Sequence, residues 1–121
     1  VDRRALEALA RAAYAEAHVD ESHPDIRLLA RRLLGPRAIR RVPRLVVGRA
    51  TLTRIKGERC IVVARNLPPA AARFAIAHEL AHWLILRSDH QTDDEERDAD
   101  YLAGVLLAPR GKRRRRLPRD D

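Results

Sequence analysis

The stretch Arg73-Phe74-Ala75-Ile76-Ala77-His78-Glu79-Leu80-Ala81-His82-Trp83-Leu84 decides how the rest of the chain is read. It sits in a longer apolar run opened by Asn66-Leu67-Pro68-Pro69 and reaching Arg87. Proline suits a first helical turn, where its missing N–H is not needed, so the run predicts one helix of about 20 residues. His78 and His82 are four apart, which stacks their imidazoles on one helix face. Such a pair can approach one Zn²⁺ at about 2.0–2.1 Å. Glu79, next to His78, reaches the space beside such an ion rather than the ion itself. A carboxylate there can take a proton from water as general base and pass it to a leaving amine.

Two histidines do not complete a catalytic zinc site, which takes three protein ligands. The next helical turn offers Leu86 and Arg87, neither of which is a ligand. Beyond it the charge changes abruptly: residues 89–100 hold seven acids against one base, Arg97. Thr92-Asp93-Asp94-Glu95 has the spacing of a capping box with Thr92 as N-cap. A last helix then runs to Leu107, with Ala99, Leu102, Ala103, Leu106 and Leu107 apolar, and Pro109 beyond it. On its first turn Glu96 is the candidate third ligand. Asp100, four residues later on the same face, can fix the other ring nitrogen of a histidine ligand.

Upstream, residues 3–17 carry Leu6, Leu9, Ala10, Ala13 and Ala17 at helical spacing. A second helix bears Ile26, Leu29, Ala30, Leu33 and Leu34, with Ser22 as N-cap, Pro24 near its first position and Gly35-Pro36 as its stop. Between the helical halves the period changes. Leu45-Val46-Val47 is a short apolar run, Thr51-Leu52-Thr53-Arg54-Ile55 alternates with period two, and Cys60-Ile61-Val62-Val63-Ala64 follows the turn Lys56-Gly57-Glu58. The fold class expected is α+β: a small, mostly antiparallel sheet packed on helices, zincin-like, with the His-Glu-x-x-His segment on its active-site helix. Residues 1–109 form one such domain, and 110–121 read as a basic, disordered tail.

Composition bounds the alternatives. The 121 residues are 45% hydrophobic but only 3% aromatic, so the core must be aliphatic. Cys60 is the single cysteine, which rules out an intramolecular disulfide and a thiolate-only metal site. No stretch approaches 18 consecutive apolar residues, and residues 1–20 lack a signal-like apolar core. A soluble, cytoplasmic protein that does not enter membranes is expected. The chain has no methionine and begins with Val1, which reads as a fragment or processed product. The net charge of +8 divides unevenly: 7 bases less 2 acids gives +5 over residues 110–121, and 18 less 15 gives +3 over the rest. Uniform basicity would point to nucleic acid more strongly than this distribution does.

With these residues in view, the chain resembles the ImmA/IrrE family of zinc metallopeptidases over residues 45–109. The segment Arg73–Leu84 is similar to the family's His-Glu-x-x-His helix, with Ala81 where the family usually has Gly. Glu96-Arg97-Asp98-Ala99-Asp100-Tyr101-Leu102-Ala103 resembles its Glu-bearing helix, and Leu106-Leu107-Ala108-Pro109 its ending. The resemblance implies zinc held by His78, His82 and Glu96, with Glu79 catalytic. It also implies a substrate: one partner regulatory protein, typically a helix-turn-helix transcriptional repressor, cut at one or few sites.

Several residues stay open. Residues 60–64 are a candidate edge strand for an extended substrate. Tyr14, Tyr101 and His90 could each stabilise an oxyanion, and the sequence does not choose among them. Arg73 could pair with acids near the site or lie on the surface. Arg113-Arg114-Arg115-Arg116 would attract phosphates, although no aromatics interleave with them as a single-strand platform requires. The alternative to a peptidase is a non-catalytic zinc-binding regulatory or toxin–antitoxin-associated module that binds a protein partner or DNA. Oligomeric state is not legible.

Overall fold

The computed structural model describes residues 2–45 and 48–109. Four helices and three strands follow in the order α1 (Arg3–Ala17), α2 (Ile26–Leu34), β1 (Ile39–Val42), β2 (Ala50–Ile55), β3 (Glu58–Ala64), α3 (Pro69–Arg87) and α4 (Glu95–Leu107). The fold is α+β. The basic tail expected at 110–121, including Arg113–Arg116, and the apolar pair Val46-Val47 lie outside the described residues.

Helix ends are set by short polar side chains, as orphan amides require. Asp2 accepts from Ala5 N at 2.8 Å to start α1, and Asp25 accepts from Leu28 N at 3.1 Å to start α2. Asp25 therefore takes the capping role that the sequence suggested for Ser22. Ser22 belongs to the preceding turn, where its own N–H donates to Asp20 at 2.9 Å. Likewise Asp94, accepting from Arg97 N at 3.1 Å, caps α4 in place of Thr92. The Thr92 hydroxyl donates to the carboxylate of Asp98, which is buried at 4% exposure, and accepts from Asp94 N at 3.2 Å. α3 opens on Pro68-Pro69 with no side-chain cap, because proline at the first position brings no amide to satisfy.

The sheet runs in the order β1-β3-β2 and is mixed: β2 pairs antiparallel with β3 along the longer ladder, and β1 pairs parallel with it on the other side. The sequence foreshadowed the β2–β3 hairpin, whose turn residues Lys56 and Gly57 both have positive φ, 52° and 83°. That is the two-residue turn whose twist matches the strands. It did not foreshadow β1, because Ile39-Arg40-Arg41-Val42 shows no period-two alternation. β3 is paired on both sides, so residues 60–64 cannot be the edge that receives a substrate strand. The edges are β1 and β2.

One face of the sheet lies against the helices. Ile61 and Val63 of β3 join Leu29, Ile76, Leu80, Leu102 and Leu106 in a single fully buried cluster. α3 is buried through much of its circumference, with Ala72, Ala75, Ala77 and Ala81 among its inward residues. α4 contributes Ala99 and Ala103 to the same core. Small side chains let helix backbones approach closely, and α3 packs more extensively on α4 than on any other element. That closeness brings the acids of α4's first two turns onto the imidazoles of α3.

Candidate metal centre

His78 and His82 occupy successive turns of α3, ring centroids 4.8 Å apart and set edge to face. Both present Nε2 to the same point, 3.2 Å apart. The Glu96 carboxylate of α4 arrives there too, with Oε1 3.1 Å from His78 Nε2 and Oε2 2.9 Å from His82 Nε2. Ligands about 2.0–2.1 Å from one tetrahedral ion stand roughly 3.3 Å apart, and the two imidazole nitrogens lie near that separation from each other and each from one oxygen of the Glu96 carboxylate. These three residues could hold a metal ion.

The outer ring nitrogens reinforce this. His78 Nδ1 lies 2.8 Å from Asp100 Oδ1, and His82 Nδ1 lies 2.7 Å from Glu95 Oε2. Each carboxylate favours a proton on the Nδ1 facing it, which leaves the Nε2 of a neutral ring as a lone pair. Two lone pairs and a carboxylate then converge within hydrogen-bond distance with no proton among them. The cluster requires either extra protons or a cation. The titration tendency of His82 agrees. Burial pushes its pKa down, but the hydrogen bond to Glu95 and the charges of Glu96 and Glu79 outweigh burial and raise it. An imidazole that attracts protons this way attracts a metal ion by the same field.

Glu79 stands beside this cluster. Burial raises its pKa; His82, His78 and a hydrogen bond accepted from the Leu52 amide partly offset the rise. That amide belongs to β2. In a hairpin closed by a two-residue turn, Ile55↔Glu58 exchange hydrogen bonds and the pairs alternate from there, so Leu52, opposite Ile61, directs its N–H to the open edge. The open edge of β2 therefore lies against the carboxylate.

The structure brings His78, His82, Glu96 and Asp100 together, with Glu79 beside them. Glu95 was missed. Its signal was present, an acid adjacent to Glu96, but neighbouring helical residues point about 100° apart, and only the approach of α4 to α3 lets both reach imidazoles. The oxyanion candidates do not gather here. Tyr14 is 1% exposed and donates its hydroxyl to Leu106 O at 2.6 Å, while Tyr101 donates to Glu7 at 2.6 Å across α1. His90 is exposed in the α3–α4 connection, with its amide on Ser88 Oγ at 3.3 Å. Arg73 is exposed and forms no ion pair among the described residues. Cys60 is buried in the central strand.

Imidazoles from one helix and a carboxylate from the next converge, with a further carboxylate alongside, in a helix-borne group that could hold a metal ion. A family model described as Peptidase_M78, IrrE N-terminal-like domain, matches residues 38–121, and the chain belongs to that family. Membership points to a metallopeptidase-type function. No curated protein and no solved structure matches the chain. Among the described residues no helix is long and apolar enough to cross a membrane.

Proposed function

We propose that this protein is a zinc-dependent metallo-endopeptidase in which His78, His82 and Glu96 hold the ion and Glu79 is the general base. The observation that carries this reading is the convergence of two Nε2 atoms and the Glu96 carboxylate at 2.9–3.2 Å beside Glu79. Two imidazoles and one carboxylate are a donor set of catalytic zinc. When bound, the ion supplies Lewis acidity that polarises a peptide carbonyl and acidifies water.

The chain's own residues do the rest. Asp100 and Glu95 orient the two imidazoles through Nδ1. Burial beside the cluster raises the proton affinity of Glu79, which suits a carboxylate that must take a proton from water and return it to the leaving amine. The open edge of β2 offers backbone groups to an extended peptide. The substrate is a partner regulatory protein, a helix-turn-helix repressor by family resemblance, and the protein works in the cytoplasm. Incubation of purified protein with a repressor encoded beside it tests this. Wild type with zinc should cut at one or few sites, and Glu79→Gln should bind zinc yet leave the repressor intact. Cleavage at the wild-type rate by Glu79→Gln would overturn the mechanism.

A further inference from the structure

A hollow of about 270 Å³ opens beside the metal cluster. Gly48, Arg49 and Ala50 form one wall, at the entry to β2, and Phe74 and Ala75 of α3 form the other. His78, Glu79 and Asp100 line it as well, so it adjoins the proposed metal ligands and general base. Phe74 and Leu86 are the two large apolar side chains left exposed among the described residues, and Phe74, at 37%, is the one lining this hollow. Its ring centroid is 6.1 Å from that of His78. Phe74 does not belong to the core cluster, so its packing there does not account for its presence. Gly48, at φ 78°, brings no side chain to the mouth.

Size and charge select the occupant. The volume is below the roughly 300–1,000 Å³ of pockets that enclose a whole small molecule, so it suits one side chain. Ala50, Ala75 and Phe74 offer apolar contact. An acidic side chain would meet the carboxylates of Glu79 and Asp100. A basic one would meet Arg49, and the carboxylates there are already engaged, Asp100 by His78 Nδ1 at 2.8 Å and Glu79 by the Leu52 amide.

We infer that this hollow is a specificity pocket that receives an uncharged apolar side chain, of leucine or phenylalanine size, from a residue flanking the scissile bond. The inference rests on the metallopeptidase reading, and the test separates the two. N-acetylated hydroxamates of glycine, leucine, phenylalanine, aspartate and lysine anchor on a zinc ion and differ only in side chain. They are titrated calorimetrically into the zinc-loaded protein and its Phe74→Ser and Phe74→Leu variants, with zinc content measured in each as the control for an intact centre. The leucine and phenylalanine compounds should bind the wild type at least about tenfold more tightly than the glycine compound. Phe74→Ser should shrink that preference several-fold, and Phe74→Leu should retain most of it. Equal binding across the series, tighter binding of the aspartate or lysine compound, or an unchanged preference in Phe74→Ser overturns the pocket while leaving the metal centre standing. Failure of every compound to bind, glycine included, overturns the metal-centre reading and the pocket with it.

Discussion

Three carboxylates of α4 surround the two imidazoles of α3, and they differ in what they touch. Glu96 faces both Nε2 atoms, whereas Asp100 and Glu95 each face one Nδ1. Removal of a ligand should therefore cost more than removal of an orienting group. Glu96→Ala should leave purified protein largely free of zinc. Asp100→Ala and Glu95→Ala should retain it, with affinity reduced about 10–100-fold in competition with a chromogenic chelator. Equal losses in all three variants would contradict this division of roles. Spacing on a single helix fixes which side chains share a face, so it paired His78 with His82 on α3 and Glu96 with Asp100 on α4; that the two pairs would meet was read from the abrupt run of acids at 89–100, not from spacing. Glu95 stayed hidden because its partner is set by the contact between two helices, which no local spacing encodes.

The elements that hold this geometry are joined by a few long-range polar contacts. Tyr14 of α1 donates to the carbonyl of Leu106, in the last turn of α4 where intrahelical partners run out. Burial pushes the pKa of that phenol up, so it stays a donor. Tyr14→Phe keeps the ring and strands the carbonyl, and should lower stability by about 1–2 kcal/mol in urea unfolding. A second tie joins α1 to the end of α3, where Arg87 binds both oxygens of Glu16 and stacks on Trp83 at 4.3 Å. The hydrogen bonds from Arg87 hold Glu16 below the ordinary carboxylate range. A depressed acid contributes stability above its unfolded pKa and loses it as the pH falls through its folded pKa. For this exposed pair the effect of Glu16→Gln should stay within ~1 kcal/mol at neutral pH and vanish in acid. Helical periodicity announced α1 through to Ala17, and the two Asp N-caps fell within three residues of the caps expected at Ser22 and Thr92. The strands were less legible. β1 reveals itself only by pairing with β3, since Arg40 and Arg41 erase any alternation in its own sequence.

For the molecule as a whole, the acids of residues 89–100 are the counterpart of an otherwise basic chain: Glu95, Glu96 and Asp100 all meet the imidazoles of α3. A bound ion would therefore join α3 to α4 and stabilise the domain, by about 2.7 kcal/mol when free metal is 100-fold above its Kd. For a domain of 121 residues that corresponds to a rise in Tm of very roughly 10 °C. The rise should depend on pH with a definite sign. The pKa of His82 is raised above 6.5, so in the metal-free protein its imidazolium contributes stability that is complete below that value and lost as the pH rises through the folded pKa. Metal competes with those same protons. Differential scanning fluorimetry with zinc and with a chelator, at about pH 6 and about pH 8, reads both effects together. The chelated protein should lose this increment toward pH 8, while the zinc-induced rise should grow over the same interval. His82→Ala should abolish the pH dependence of the gap between the two curves. A zinc-induced rise as large at pH 6 as at pH 8 would mean that the ion and the protons do not share His82.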